Sequence, residues 1–337
     1  MTDAMDVVGA RQPAPVLAAA PAVAAVAAVA PLARARRLRA GDRVAVVAPS
    51  GPVPAEALDR GLHLMRDWGL DPVVLPHVLG AHPRFGYLAA GDEERARDLT
   101  AAWCDPSYAA VFCARGGYGA QRMVDLVDWA AIRAAGPKVF VGFSDVTALH
   151  EAFAVRAGFS TLHAPMPGTA NFTADRASRE ALRATLFAPE TQLTLGAPTA
   201  RTLVPGVARG VTLGGCASLL AADLGTPHAR PSARGGLLLL EDVEEEGYRL
   251  DRILTQLLRS GWLDGVAGVA LGSWSACGPY PALRELFLDR LGDLGVPVVE
   301  ELGFGHGASN VTVPLGVRAC LNANDATLTV ETPALGP

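Results

Sequence analysis

The chain has 337 residues, of which 50% are hydrophobic and 19% are charged, with a formal net charge of −5. This length allows two domains of ordinary size, and the composition predicts packed globular cores. No run of lysine or arginine stands out, which argues against nucleic acid as a partner. The cysteines are scattered without CxxC or zinc-ligand spacing, so we expect reduced thiols, a cytoplasmic location and no metal site.

The first 35 residues are rich in alanine, proline and valine and are predicted to form a disordered extension. An apolar run covers residues 16–32, but Pro21 and Pro31 interrupt it and no positively charged region precedes it. The run is also too short and too rich in alanine for a membrane span. We therefore expect no membrane partner, while an exported form of the protein stays open.

Strands and helices alternate along residues 36–165, the predicted N-terminal domain. Predicted strands cover 43–48, 73–75, 108–113 and 138–142, and predicted helices cover 54–69, 92–103, 120–134 and the segment from 144 through 155. This alternation predicts a parallel, Rossmann-like sheet covered on both faces. Ligands bind such sheets beyond the carboxyl ends of the strands, where the RGGYG turn (115–119) and Ser144 would lie.

The pattern weakens over residues 166–205, which are predicted to be an interdomain linker with one helix at 175–186. Residues 206–332 are predicted to form a second α/β domain. Its predicted elements are a helix at 216–225, a strand at 236–240, an amphipathic helix at 250–258, strands at 266–272 and 298–299, and hairpin-like pieces at 311–315 and 326–330. The sequence contains no GxxxxGK[ST] or HExxH motif, so we expect no cofactor.

Ser144 lies between a predicted strand and a predicted helix, in the stretch VFVGFSDVTALH. A sharp strand-to-helix turn exposes a side chain at the sheet edge and aims the first N–H groups of the helix at a reacting group. Such donors suit an oxyanion hole, and Asp145 would supply one of them. The segment by itself also fits a plain helix cap, since Val146 stands where the usual GxSxG elbow has its second glycine.

A nucleophilic serine needs a base and an acid that orients the base. His306 lies in the stretch GFGHG, where an irregular backbone can place an imidazole closely, although a mobile loop with an incidental histidine fits as well. His163 could line the site, but it is predicted to be a satisfied structural histidine. Glu241 ends the apolar run GLLLLE, and Asp242 next to it competes for the role of the acid.

Several stretches of the sequence together resemble the LD-carboxypeptidase family, the serine peptidases that include murein tetrapeptide carboxypeptidase. They are VAVVAPSGP, AGDEERARDL, ARGGYGAQR, GFSDVTALH, TLHAPMP, LGGCASLL, LLLLEDVEEEGYRLDRILTQLL and GFGHG. They follow one another in order from about residue 43 to residue 307, which covers nearly the whole chain predicted to fold. The resemblance implies two α/β domains with the active site at their junction, a homodimer and no metal.

The resemblance also implies a triad in the chain order Ser, Glu, His. Ser144 resembles the nucleophile, Glu241 the residue that orients the base, and His306 the base. The resemblance settles Glu241 over Asp242, which spacing could not do. The implied oxyanion donors are the backbone N–H groups of Asp145 and, in the GGYG turn, Gly117.

The implied reaction releases the terminal D-alanine from murein tetrapeptide. The free carboxylate of this substrate calls for a nearby cation, and Arg115 and Arg122 are the candidates. Arg122 could equally pair with Asp125 or Asp128 on its own segment. The sequence departs from the family at Ala164, where relatives often have glycine, and at the N-terminal extension.

Two other functions stay open beside the carboxypeptidase. A self-immunity hydrolase of peptidyl-nucleotide, microcin C-like antibiotics would need an aromatic platform for a base, for which only Phe172 and Trp274 offer themselves. The other is a non-catalytic muropeptide-binding sensor. Such a sensor would not need a nucleophile, a base and an acid, so the presence of Ser144, His306 and Glu241 argues against it.

Overall fold

The structure is a computed structural model that describes residues 27–337. Most of the predicted disordered extension, residues 1–26, lies outside the described residues. The strands are β1 (Arg43–Val47), β2 (Asp71–Val74), β3 (Tyr108–Cys113), β4 (Val139–Gly142), β5 (Thr161–His163), β6 (Thr194–Leu195), β7 (Arg201–Val204), β8 (Val207–Cys216), β9 (Gly236–Val243), β10 (Gly268–Ser275), β11 (Val298–Glu300), β12 (Val313–Leu315), β13 (Arg318–Asn322) and β14 (Thr327–Val330). The helices are α1 (Ala55–Asp67), α2 (Asp92–Cys104), α3 (Ala120–Met123), α4 (Trp129–Ala135), α5 (Thr147–Ala152), α6 (Ala170–Thr173), α7 (Arg176–Phe187), α8 (Ala217–Asp223), α9 (Gly247–Arg259) and α10 (Tyr280–Leu291). Among residues 27–337, no helix is long and apolar enough to cross a membrane.

A six-stranded sheet forms the first domain, in the order β12-β5-β4-β3-β1-β2. Strands β1 to β5 pair in parallel, as the sequence predicted. Along β1, Val44 and Val46 face one hydrophobic cluster, whereas Ala45 and Val47 face another on the opposite side of the sheet. Because both faces are buried, the strand is a continuous apolar run, which made it recognisable in the sequence.

An eight-stranded sheet forms the second domain, in the order β6-β14-β13-β8-β9-β10-β11-β7. Its central strands β8 to β11 are parallel, and the other four pair antiparallel on either side. Along β9, Leu238 and Leu240 pack into one hydrophobic cluster and Leu237 and Leu239 into a second. The predicted two-domain α/β fold is confirmed.

The folded chain begins earlier than the predicted boundary. Residues 27–35 run along the protein surface instead of belonging to a disordered extension. The N–H of Ala33 donates to the carbonyl of Gly158 at 2.9 Å, and the N–H of Leu32 donates to the carbonyl of Gly316 at 2.8 Å. These backbone hydrogen bonds and the burial of Ala35 in the first core hold the segment in place.

The structure divides the predicted linker, residues 166–205, between the two domains. Helix α7 packs on the first core through Leu182 and Leu186. Strands β6 and β7 lie at opposite edges of the second sheet. The linker prediction overlooked this because short edge strands and amphipathic surface helices carry weak local signals.

Two other element predictions need correction. Of the two predicted hairpin-like pieces, only β14 lies in a hairpin, with β13, whereas β12 crosses to the first sheet and pairs with β5. The single predicted helix over 120–134 is broken into α3 and α4. The Asp128 carboxylate accepts a hydrogen bond from the N–H of Ala131 at 2.9 Å, so a new helix starts there.

Buried polar contacts join the two domains along α3 and α5. Arg230, in the loop before β9, donates from Nε to both carboxylate oxygens of Glu151 on α5, each at 2.9 Å. Gln121 on α3 donates to Asp223, the last residue of α8, at 2.7 Å. Burial raises the pKa of Asp223 to about 6, against the opposing effect of the Gln121 hydrogen bond. We call this interface of α3 and α5 with α8 and the loop before β9 the seam between the domains. The seam therefore holds a carboxylate, Asp223, that is costly to ionise.

We expect Asp223→Asn to stabilise the protein at pH 8 but not at pH 4. A carboxyl group whose pKa is raised from 3.8 to about 6 on folding gives stability that is present below pH 3.8 and is lost as the pH rises through about 6. Asparagine carries no charge and still accepts the hydrogen bond from Gln121. The melting temperature, measured at both pH values, should rise by roughly 2–4 °C at pH 8; an equal change at both would contradict this explanation.

Candidate active site

Ser144 occupies the sharp turn between β4 and α5. Its φ of 67° lies in the left-handed region, which a non-glycine residue adopts only when its surroundings hold it there. The N–H of Cys216, at the end of β8, donates to Oγ1 of Thr147 at 3.0 Å, so the second domain abuts this turn. Ser144 is the first residue of a short 3₁₀ turn whose N-cap position is Phe143, and its hydroxyl lies 2.9 Å from His306 Nε2.

The RGGYG turn packs directly against Ser144. A Cβ atom at Gly116 would lie 2.8 Å from Cβ and 2.9 Å from Oγ of Ser144, so the turn can come this close only with glycine there. The Gly116 carbonyl accepts a hydrogen bond from the N–H of Gly51 at 3.2 Å. Since C=O and N–H of a trans peptide point in opposite directions, the N–H of Gly117 points away from Gly51. Within residues 27–337 this N–H donates to no backbone carbonyl.

The side chain of Asp145 ties the RGGYG turn to the Ser144 turn. Its buried carboxylate accepts a hydrogen bond from the N–H of Ala120, just after the turn, at 2.8 Å. Burial raises the pKa of this carboxyl, although the hydrogen bonds that it accepts oppose the shift. Asp145 therefore has an anchoring role for its side chain in addition to the backbone N–H predicted as an oxyanion donor.

We expect Gly116→Ala to lower kcat by roughly 100-fold while the protein stays folded, because the added methyl group displaces the Ser144 hydroxyl by a fraction of an ångström or more. Gly247→Ala is the matched control, since a Cβ at that position meets no atom within 4 Å. Turnover and melting temperature should be measured for both variants. Equal activity of the two would mean that the contact between Gly116 and Ser144 has no bearing on turnover.

Glu241, His306 and Ser144 form one chain of hydrogen bonds across the domain junction. His306 Nδ1 lies 2.6 Å from Oε2 of Glu241, and His306 Nε2 lies 2.9 Å from Oγ of Ser144. Glu241 lies near the end of β9 and is fully buried, whereas His306 retains 17% exposure. Asp242, the competing acid, points elsewhere and accepts a hydrogen bond from the N–H of Ser218 at 2.8 Å. The first domain thus supplies a hydroxyl, and the second supplies an imidazole and the carboxylate that orients it.

The GFGHG loop is held in place by specific contacts. A Cβ at Gly305 would lie 2.5 Å from Oε2 of Glu241, so glycine, with φ of 102°, lets the loop pass close to the carboxylate. The N–H of Gly305 donates to Oδ1 of the buried Asn310 at 2.9 Å. Ser275 Oγ donates to the carbonyl of His306 at 3.0 Å. These contacts fix the direction of the imidazole, in contrast to the mobile loop that the sequence left open.

The charges in the site favour an ionised Glu241 beside a basic His306. Burial alone would raise the pKa of Glu241, but the facing rings of His163 and His306 outweigh it and lower the pKa to about 2. Burial opposes protonation of His306, yet the hydrogen bond and the charge of Glu241 outweigh this effect and raise its pKa above the ordinary 6.5. The arrangement can accept a proton from the Ser144 hydroxyl and stabilise the resulting imidazolium.

A contact between His163 and Glu241 was not predicted from the sequence. His163 Nε2 lies 3.7 Å from Oε1 of Glu241. The prediction of a satisfied structural histidine is wrong, because neither ring nitrogen has a hydrogen-bond partner within residues 27–337. No local signal could have revealed this, since the contact depends on β5 lying beside β4 at the domain junction.

The two predicted substrate-binding arginines differ in their surroundings. Arg115 immediately precedes Gly116, and its Nη1 donates to the carbonyl of Pro52 at 3.1 Å. Arg122 pairs with Asp92 on α2, at 2.7 Å and 3.0 Å, rather than with an acid on its own segment. Arg122 shares Asp92 with Arg95, so its guanidinium is engaged but not fully neutralised, and Arg115 is the candidate within the RGGYG turn itself.

Neither aromatic residue considered as a platform for a base is exposed. Phe172 is buried in the first core, with its ring centroid 5.3 Å from that of Trp68. Trp274 is 7% exposed and packs against Phe287, with centroids 4.6 Å apart. In the part of the chain that the structure describes, no cluster of three or more His, Cys, Asp or Glu side chains could hold a metal ion.

Comparisons with known proteins match both domains. The family model for the LD-carboxypeptidase N-terminal domain matches residues 44–164, and that for the LD-carboxypeptidase C-terminal domain matches residues 209–321. A protein of Streptomyces coelicolor, provisionally named a carboxypeptidase, is 66% identical over 90% of this chain and 97% of its own length. The murein tetrapeptide carboxypeptidase of Pseudomonas aeruginosa is 33% identical over 84% of this chain and 94% of its own length.

Solved structures give the same result for the fold. The muramoyltetrapeptide carboxypeptidase of Oxalobacter formigenes superposes with a TM-score of 0.73 at 28% identity, over 86% of this chain and 97% of that one. An MccF-like protein of Bacillus anthracis superposes with a TM-score of 0.78 over 88% of this chain and 99% of that one, but at 22% identity it supports the fold alone. From the two matched domains and the identity to its relatives, the chain belongs to the LD-carboxypeptidase family of peptidases.

Proposed function

We propose that this protein is a serine-type LD-carboxypeptidase that releases the terminal D-alanine from murein tetrapeptide. The observation that carries the proposal is the hydrogen-bonded chain from Glu241 through His306 to Ser144. The name of the Pseudomonas aeruginosa relative supports the substrate class. The proposal includes a role in peptidoglycan recycling in the cytoplasm. It also includes a homodimer as the active form.

In the proposed mechanism, Ser144 Oγ attacks the carbonyl carbon before the terminal D-alanine while His306 Nε2 accepts the hydroxyl proton. The negative charge on the former carbonyl oxygen is stabilised by the N–H groups of Asp145 and Gly117. The C–N bond then breaks, and the leaving amino group takes the proton from His306. A water molecule attacks the acyl-enzyme in the same way and releases the shortened peptide.

The substrate carboxylate is the group that distinguishes a carboxypeptidase from an endopeptidase. Arg115 is our first candidate for binding it, because this residue opens the RGGYG turn, in which Gly116 contacts Ser144. Arg122 is the second candidate, and it would have to share its guanidinium with Asp92. A bidentate contact from either guanidinium to the terminal carboxylate would fix the scissile bond over the serine.

The function can be tested with two substrates and one variant. Purified full-length protein and Ser144→Ala are incubated separately with murein tetrapeptide and with aspartyl sulfamoyl adenosine, and the melting temperatures of both proteins are compared. Free D-alanine from the wild type alone supports the proposal. Cleavage of aspartyl sulfamoyl adenosine alone would support the immunity hydrolase, and no turnover of either compound would support the sensor. Turnover that survives in folded Ser144→Ala would refute the serine mechanism.

The two alternatives rank below the carboxypeptidase on structural grounds. The immunity hydrolase would need an exposed aromatic surface for a base; Phe172 and Trp274 are both buried, which leaves the exposed Tyr118 of the RGGYG turn as the ring that could serve. The microcin C7 self-immunity protein, whose structure with aspartyl sulfamoyl adenosine is known, is only 19% identical to this chain. The sensor would gain nothing from a serine held at φ of 67° beside a histidine and a carboxylate.

A further inference from the structure

The polar groups of His163 and Glu241 face each other at the domain junction without a hydrogen bond. His163 ends β5, and its side chain is 1% exposed. Within residues 27–337, neither nitrogen of its ring nor Oε1 of Glu241 has a hydrogen-bond partner. Nε2 and Oε1 lie 3.7 Å apart. Because burying unpaired polar atoms costs free energy, this arrangement calls for an explanation.

The surroundings of His163 favour one tautomer. The rings of Phe143 and Phe304 enclose it, each with its centroid 5.7 Å from that of His163. A hydrogen on Nδ1 would have no acceptor among the described residues. A hydrogen on Nε2 would face the carboxylate of Glu241. The tautomer with its hydrogen on Nε2 therefore leaves fewer buried donors unpaired.

We propose that His163 is a positioning residue of the candidate triad, which donates its Nε2–H to Oε1 of Glu241 and so keeps Oε2 on Nδ1 of His306. The proposal rests on the proposed function, because it assigns His163 a role only through Glu241. An approach of about 0.5 Å brings the two atoms within hydrogen-bond distance. Catalytic hydrogen bonds are often long in ligand-free enzymes and shorten when substrate binds.

The titratable groups around Glu241 determine what the loss of His163 would do. His150 lies behind His163. Its burial, and to a lesser extent the neighbouring ring of His163, lower its pKa to about 3, so His150 is neutral and adds no charge. Asp242, next along β9, accepts hydrogen bonds from backbone N–H groups, and its charge and that of Glu244 also raise the pKa of His306, which a substitution at His163 leaves unchanged. The charge of Glu241 is therefore shared between His163 and His306. Without the donor at His163, more of this charge acts on His306 and raises its pKa further.

The test compares two variants that differ in the donor but hardly in size, His163→Gln and His163→Met. Glutamine can place an N–H near the position of Nε2, and methionine fills a similar volume with no donor. The first readout is kcat and KM for murein tetrapeptide across pH. The second is the rate at which Ser144 reacts with a fluorophosphonate, in which the Oγ–P bond forms, the P–F bond breaks, His306 takes the hydroxyl proton and fluoride leaves. This second readout needs no knowledge of the natural substrate.

We expect His163→Met to lower kcat and the labelling rate by roughly tenfold to 100-fold with little change in KM. The acid limb of both pH profiles should move to higher pH, and His163→Gln should restore much of the rate and the wild-type position of the limb. Where His163→Met does not fold, His163→Phe, which preserves the aromatic packing, takes its place.

Equal rates and unmoved pH limbs in the glutamine and methionine variants would overturn the role of His163, even with the triad intact. Labelling that persists in Ser144→Ala would instead overturn the proposed function. Labelling of the wild type without turnover of murein tetrapeptide would reject the substrate and leave the role of His163 to be decided by the labelling profiles.

Discussion

Replacing Glu241 by glutamine is expected to lower kcat/KM about 10⁴-fold while the fold survives. Glutamine has nearly the shape of glutamate, so the close passage of Gly305 beside the side chain is kept. With its oxygen kept toward His163 Nε2, its NH₂ group takes the place of Oε2 and cannot accept the hydrogen that His306 Nδ1 presents. The imidazole would then turn to the tautomer with its hydrogen on Nε2, which cannot accept a proton from Ser144.

The same substitution should move the pH dependence in a defined direction. His306 must be neutral to act as a base, so wild-type kcat/KM should fall as the pH drops through a pKa above 6.5. In Glu241→Gln the hydrogen bond and charge that raise this pKa are gone, and burial then lowers it. The acid limb of the residual activity should therefore lie at lower pH than in the wild type.

Asp242→Asn is the matched control, because it alters the neighbouring carboxylate on the same strand. Asp242 accepts hydrogen bonds from the N–H groups of Ser218 and Val243 and makes no contact with the His306 ring within hydrogen-bond distance. Its variant should keep most of the activity at pH 8, with a small move of the acid limb to lower pH, because the charge of Asp242 also raises the pKa of His306. If both variants lost activity equally, Glu241 would have no special place, and the orientation of His306 would have to come from elsewhere.

Local sequence patterns predicted the parts of the fold that are continuous in sequence. The apolar run at β1 and the amphipathic repeat at α9 carry their own signals, because each buries a face defined by a regular period. Strand β12 falls in the piece predicted at 311–315, but its partner carries no local signal, since β12 completes the first sheet by pairing with β5, far away along the chain. Pairing across such a separation depends on how the domains dock, and no short window encodes it.

The candidate site divides in the same way. Position in the sequence marked Ser144 and His306, because a strand-to-helix turn and a glycine-rich loop are local features. Spacing could not choose between Glu241 and Asp242, since adjacent residues near the end of a buried strand look alike in sequence. The resemblance to a family chose Glu241, and in the structure it is the acid that faces His306. The contact of His163 with Glu241 was not predicted, because it crosses the domain junction.

The second large effect should come from the seam that holds the two domains together. Replacing Arg230 by alanine leaves the carboxylate of Glu151, which is 2% exposed, buried without its cation. We expect a loss of about 3–5 kcal/mol in the free energy of unfolding, measured by denaturant titration. Arg209→Ala is the control, because Arg209 is 75% exposed in its pair with Glu331 and its loss should cost ~1 kcal/mol or less.

The loss of Arg230 should also disturb the geometry of the candidate triad. Glu151 lies on α5, the helix that begins just after the Ser144 turn, whereas His306 and Glu241 belong to the other domain. A loosened seam would therefore misalign Ser144 with its base and lower kcat by ~10-fold or more even where the variant is fully folded. Arg230→Met combined with Glu151→Leu removes both charges, so it should recover most of the stability. If the double variant regained stability but not turnover, the ion pair would serve to align the domains; if it regained neither, the seam would depend on other contacts.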